Sequence, residues 1–280
     1  MRYILLPLLA AGLAFAQPNP MTPNPNGPRP IDGIDTVWLE EMTWMEVRDA
    51  LKAGKRSILI PTGGVEQNGP YLAAGKHNYI LRATAAAIAR KLGNCLVAPI
   101  VPFVPEGNIQ PPSSHMLYPS TISLREETYR ALLTDIAESL HQHGFTEILL
   151  IGDSGGNVKG MVDVAAKLSK AWAGTAARIY HIPEYYDYAD VKKFLESQGI
   201  REGNEGIHDD YAITSQMMVT DPATVRMQQR IAKGKFTING VALAPAAQTI
   251  AIGKRVVEYR ADQTVKAIWK RRVESSSLKR

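Results

Sequence analysis

Between Ile58 and Asn78 the chain reads ILIPTGGVEQNGPYLAAGKHN, its densest set of groups able to do chemistry. Glu66, Gln67, Asn68, Lys76 and His77 fall in a Gly-rich segment directly after the apolar run Ser57 to Pro61. A carboxylate with an imidazole can hold a divalent cation or move protons in a hydrolytic step. Further candidates are Glu106, Ser114 and His115 in a long loop, Asp153 and Ser154 in GDSGGN, and His208, Asp209 and Asp210 in GNEGIHDD. Each also has a plain structural use. Glu66 can accept backbone N–H groups, His77 can cap a helix, and Lys76 reads as a solvated lysine. Asp209 and Asp210 can open a helix, whose dipole favours acids there. Ser154 suits an N-cap, or, on a strand–turn–helix corner, a nucleophile activated by His208 or His77. Tyr185, Tyr186 and Tyr188 can line a pocket or pack at an interface.

The elements that must position these groups follow from periodicity. Trp38 to Leu51 reads as a helix, with Thr43 as N-cap, Glu46 as its capping-box partner and Trp44, Val47 and Leu51 as the apolar stripe. Strands over 57–61, 95–100, 147–151 and 177–182 alternate with helices over 78–92, 125–143 and 157–172. The strand at 147–151 is apolar throughout, as in a sheet covered on both faces. Beyond it come a short helix from Ala189, a polar loop over 203–210, a helix over 211–218, a loop over 239–248 and a last helix over 253–272. The alternation predicts an α/β fold, a three-layer αβα sandwich with a mostly parallel central sheet. In such sheets ligands bind beyond the C-terminal ends of the strands, where Glu66 and Asp153 fall.

The 280 residues suffice for one large α/β domain or two small ones, and the 45% apolar and 21% charged content is ordinary for a globular chain. The net charge of +5 is modest. Lys266, Lys270, Arg271, Arg272, Lys279 and Arg280 read as a solvated basic tail, and no aromatic-studded basic motif points to nucleic acid. Met1-Arg2, the apolar run Tyr3 to Phe15 and Ala14-Phe15-Ala16 read as a secretory signal peptide over 1–16, with an uncleaved anchor as the alternative. Residues 17–33, rich in Pro, Asn and Gly, read as a linker or tethering arm, which leaves 34–280 as the folded domain. The expected location is secreted or periplasmic, with no transmembrane segment once the leader is cleaved. The single Cys95 cannot form an internal disulfide and falls in an apolar strand, where it is expected to be buried and inert.

Taken together, the loops resemble the creatininase family of amidohydrolases along essentially all of the chain after the leader. Pro61 to Pro70 is similar to that family's P-x-G-S-x-E-Q-H-G-P, and Leu72 to His77 to its L-P-x-G-T-D. His115 with Pro119 to Leu124 resembles H-x-x-F-P-G-T-I-S-L. His143 to Phe145 and Gly152 to Asn157 resemble H-G-F and N-G-H-G-G-N, His208 to Ser215 resembles H-A-G-x-x-E-T-S, and Gly240 to Gly253 resembles the family's ending. The resemblance implies the αβα fold, a small-molecule substrate and a ring-like homo-oligomer, often a hexamer.

The departures bear on chemistry. The family holds two divalent ions with Glu, His, Asp, His and a further Glu. Here Glu66 is kept, but the His position is Asn68, the bridging Asp is His77, the second His is Ser154 and the later Glu is Ile213. Creatininase's own acid falls at Gly156, which argues against creatinine as substrate. An imidazole nitrogen binds one metal where a carboxylate can bridge two, so the two-ion site is not expected to form. Three readings stay open. The first is a metal-dependent amidohydrolase acting on a small amide C–N bond, cyclic amides included. It would have a rewired Zn or Mn site of Glu66 and His77 with Asp153 or one of Asp209 and Asp210. His208 and Glu66 would be catalytic, and Asn68, His115, Ser154 and Asp210 would contact substrate. The second is a catalytically inactive ligand-binding protein on the same scaffold. The third replaces the metal by a nucleophile at Ser154. GDSGGN does match the nucleophile segment of chymotrypsin-like proteases, but those are paired β-barrels, and here the string joins a buried strand to a helix.

Overall fold

The computed structural model describes residues 21, 23–206 and 208–277. The expected leader, and Lys279 and Arg280 of the basic tail, lie outside them. The chain divides into two units, 1–33 and 34–280. In the first, residues 23–33 run through turns and bends, with Asn24 accepting from the backbone N–H groups of Asn26 and Gly27.

The second unit is built on four parallel strands. These are β1 (Ser57–Thr62), β2 (Cys95–Val97), β3 (Glu147–Gly152) and β4 (Arg178–His181), in the order β2-β1-β3-β4. The helices are α1 (Trp44–Lys52), α2 (Lys76–Leu92), α3 (Glu126–Gln142), α4 (Asn157–Ala171), α5 (Tyr188–Ser197), α6 (Tyr211–Thr220), α7 (Met227–Ala232) and α8 (Ala246–Ser277). Strand periodicity sorts the core. Ile58, Ile60, Ile148 and Leu150 pack with Tyr129, Leu133, Met161 and Val164 of α3 and α4 on one face. Leu59, Leu149 and Ile151 pack with Leu81, Ala85 and Ile88 of α2 and Ala261 and Ile268 of α8 on the other. Both sheet faces are covered, which gives the three layers expected and explains the unbroken apolar strands. A further core joins α5, α6, α7 and the first half of α8 to Leu72 and Ile80.

Several boundaries differ from the sequence pattern. Thr43 and Glu46 do form the reciprocal capping box, but α1 starts only at Trp44. Trp38 instead lies extended beside Val97 and is buried, while Trp44 is 46% exposed and outside the stripe. β2 stops at Val97, because Pro99 has no N–H to give to a ladder. α2 starts two residues earlier than expected, so Lys76 and His77 belong to its first turn. Part of the expected loop over 239–248 is a hairpin of β5 (Thr237–Ile238) and β6 (Val241–Ala242). Asn239 and Gly240 both have positive φ at its turn, the Asn-Gly signature of a tight hairpin. Of the expected basic tail, Lys266 and Lys270 are exposed, whereas Arg271 and Arg272 are docked. Arg271 pairs with Glu184, and Arg272 grips Glu147 through Nε at 2.8 Å. Cys95 is free and buried, and burial raises its thiol pKa. Among the described residues no helix is long and apolar enough to cross a membrane.

The capping box gives a direct test of the α1 boundary. Thr43→Ala is expected to lower the unfolding free energy by about 1 kcal/mol in urea titration, with no loss of native fold.

Candidate functional site

The strand order places β1 between β2 and β3, so the chain leaves the C-terminal ends of β1 and β3 in opposite directions. The crevice at that switch point is where open α/β sheets take ligands. Here it is a cavity of about 550 Å³ whose lining includes Glu66, Lys76, His77, Glu106, His115, Asp153, Ser154 and His208. The loop after β1 supplies Glu66, the first turn of α2 supplies Lys76 and His77, and the turn after β3 supplies Asp153 and Ser154.

Glu66 lies at the centre. Its Oε1 receives Lys76 Nζ at 3.0 Å and His77 Nε2 at 2.9 Å, and its Oε2 faces His115 Nε2 at 3.1 Å. Burial alone would raise its pKa. The hydrogen bond from His77 and the charges of Lys76 and His77 outweigh that and hold the carboxyl well below the usual carboxylate range. His77 Nδ1 meets Asp153 Oδ2 at 2.9 Å, so the imidazole stands between two carboxylates. Burial opposes its charge, but the hydrogen bonds to Asp153 and Glu66 prevail and its pKa is raised. Asp153 is fully buried; Arg260 Nη2 of α8 donates to Oδ1 at 2.7 Å and the Tyr188 hydroxyl donates at 3.0 Å. Against its burial, the Arg260 charge and the His77 hydrogen bond lower the Asp153 pKa. Arg260 also donates to Gln216 Oε1 and to the Tyr185 carbonyl, and lies over the Tyr185 and Tyr188 rings.

Glu106 forms the opposite wall. Ser154 Oγ donates to its Oε2 at 3.1 Å, while Oε1 is buried with no hydrogen-bond partner among the described residues. Burial, with the charge of Glu66 adding to it, pushes its pKa up to about 8. Gly64 and Gly156 let this wall approach. A Cβ at Gly64 would collide with Glu106 Oε1, and one at Gly156 with the Pro105 carbonyl oxygen. At the mouth His208 Nδ1 donates to the Gln67 carbonyl at 3.0 Å, and the ring lies 4.5 Å from that of His115. Burial lowers the His115 pKa.

The geometry assigns other work to several expected site residues. Glu66, His77 and Asp153 are contiguous but do not aim at one point, because both His77 nitrogens are taken up between the two acids. Asn68, expected to touch substrate, braces the loop by donating to the Glu66 and Ala73 carbonyls and is not in the cavity lining. Ser154 lines the cavity but neither caps α4, which starts after Gly156, nor meets a histidine. Asp210 lines the cavity and caps α6 by accepting from Ile213 N at 2.6 Å. Asp209 is buried with both oxygens unpartnered among the described residues, and burial raises its pKa to about 6. Lys76 is 2% exposed rather than solvated. Arg260 escaped the sequence reading. Its signal is a charge on the buried i, i+4 row Val256, Arg260, Thr264 and Ile268 of an amphipathic helix.

Residues 40–268 match the creatininase family, described as creatinine amidohydrolase. The chain belongs to the creatininase family. The 3-dehydro-scyllo-inosose hydrolase of Thermotoga maritima is 26% identical over 187 residues, 66% of this chain and 57% of that protein. The creatinine amidohydrolase of Pseudomonas putida is 26% identical over 116 residues, 41% of this chain and 44% of that protein. The matched stretches thus span about half the length of these relatives. Among solved structures, creatininase superposes with a TM-score of 0.57 at 21% identity, covering 84% of this chain and 96% of that one. A Mn form of creatininase gives 0.58 at 20% identity, covering 86% and 98%. These structures establish the shared fold.

Among the described residues, two groups in the cavity have the spacing of a metal site. The ligand atoms of Glu66, His77 and Glu106 lie within 4.8 Å of one another, as do those of Glu66, His115 and His208. The inner group does not fit an ion as it stands, because Lys76 and His77 already hold Glu66 Oε1 and Asp153 holds the other His77 nitrogen. The outer group is less committed, since His115 Nε2 faces Glu66 Oε2 and His208 uses only Nδ1, on the Gln67 carbonyl. It offers a carboxylate oxygen and two imidazoles, 24% and 43% exposed, which leaves positions open to water or substrate.

The ion-pair chain through Asp153 yields a stability test. Arg260→Met leaves the buried Asp153 carboxylate without its guanidinium partner, and is expected to cost about 3 kcal/mol in chemical denaturation. Adding Asp153→Asn is expected to recover part of that loss, since the two side chains act as one unit.

Proposed function

We propose that this protein is a hydrolase of a small polar molecule, acting on an amide C–N bond with one divalent ion, Zn or Mn, held by Glu66, His115 and His208. The observation that carries the reading is the clustering of that carboxylate and two imidazoles at the mouth of a cavity, with the buried Glu106 carboxyl on its other wall. Family membership supports the hydrolytic class. A bound ion there would polarise the substrate carbonyl and lower the pKa of a water.

The remaining work falls to the chain's own groups. Glu106, with Ser154 fixing Oε2 and Oε1 unpartnered, offers a proton to the leaving nitrogen. Asp153 and Arg260 lock the His77 ring, which in turn holds Glu66 in one orientation. His208 Nδ1 donates to the Gln67 carbonyl, so Nε2 is the nitrogen that would hold the ion. Tyr186 and Ile213 complete the lining, and Ile213 gives an apolar wall where the family carries a carboxylate. The loss of that carboxylate and its companions favours the second reading, a ligand-binding protein without turnover.

Metal content of the purified protein after chelation and reloading, together with amine release from a panel of small amides, separates the two. One Zn or Mn per chain is expected, lost in His115→Ala and in His208→Ala. Glu106→Gln is expected to keep the ion and lower turnover by about 10²-fold. An ion-free protein that binds amides without cleaving them would overturn the hydrolase reading in favour of the binding protein.

A further inference from the structure

The inner group poses a separate question, because its spacing suits a metal and yet a lysine is buried against it. Lys76 occupies the first position of α2, a turn with no acidic residue. That is the positive end of the helix dipole, where a cation is disfavoured. The side chain is nonetheless 2% exposed, with Nζ 3.0 Å from Glu66 Oε1. A charge placed against both solvation and the helix dipole needs a strong anionic counterpart, and Glu66 is that counterpart. The same oxygen belongs to the group Glu66, His77 and Glu106, whose ligand atoms lie within 4.8 Å of one another. Glu106 Oε1, 4% exposed by residue, is still without a hydrogen-bond partner among the described residues. The cage thus keeps one unused oxygen donor, and its shared carboxylate is already neutralised from within the chain.

We propose that the Lys76 ammonium is the resident cation of the Glu66–His77–Glu106 group, holding by covalent attachment the place of a divalent ion and excluding one from it. The consequence is an amine-borne cation beside Glu66 that chelators cannot remove. It also limits the cavity to the single exchangeable ion of the outer group, on whose presence this inference does not depend.

The test compares bound divalent metal per chain, by elemental analysis and by Co²⁺ absorption, in the full-length parent and in Lys76→Thr. Lys76→Thr is expected to hold one more ion than the parent, with a new Co²⁺ band that disappears in Lys76→Thr/His77→Ala. Its melting temperature is expected to fall in chelator and recover with Zn²⁺. If Lys76→Thr does not fold, Lys76→Gln, which keeps the length and one donor, is read in the same way. An unchanged count in a folded variant, or two ions in the parent, would overturn the inference. The parent's own count reports separately on the outer ion: zero in the parent with one in the variant removes the outer site and leaves the role of Lys76 standing.

Discussion

A single buried carboxylate sets the terms for this site. Glu66 is ionised out of contact with bulk water, which is tolerable only if fixed positive groups replace the lost hydration. The chain meets that need with a row of alternating charge: Lys76 and His77 against Glu66, Asp153 against His77, Arg260 against Asp153. The row starts in the first turn of α2 and ends in the middle of α8, far apart in sequence. Each charge is buried only because the next is in place, so the row ties the two helices on one face of the sheet to the loops after β1 and β3.

The fold makes this arrangement available at one place. β1 is flanked by strands reached through opposite crossovers, and its C-terminal loop therefore opens into a crevice. The glycines of that crevice bring backbone and carboxylate closer than a Cβ would permit, and the Glu106 wall sits over Glu66 as a result. Two carboxyl groups then share one cavity in different surroundings. Glu66 is surrounded by donors that hold its pKa down, whereas Glu106 has one hydroxyl donor and a charged neighbour, and burial pushes its pKa up to about 8. Environment, not residue type, separates their chemistry.

The chain keeps the creatininase fold. Where the resemblance would place carboxylate and imidazole ligands around two ions, this chain has an amide that braces backbone, a hydroxyl that orients Glu106, and an apolar side chain at Ile213. The positive charge of the floor is supplied by side chains. The two histidines nearest the cavity mouth, His115 and His208, stand in segments that resemble family motifs, His208 upstream of Ile213 in the same one.

The residue pattern by itself determined the α/β class, the parallel strands, the capping box of α1 and the position of Glu66 and Asp153 beyond strand ends. Those features are local or periodic: alternation of apolar residues, a Thr with a Glu three positions on, polar residues after a buried strand. The likeness of Pro61 to Pro70 and of Gly152 to Asn157 to family motifs carried the family as well. The partners were beyond its reach. Lys76 looked like any surface lysine until α2 began two residues early and turned it inward. Arg260 reaches Asp153 across 107 residues of sequence, and the shared cavity of Glu66, His115 and His208 joins three separate loops. Coulombic and hydrogen-bonding partners are chosen by distance in space, and only the packing of α2 and α8 on the sheet fixes those distances.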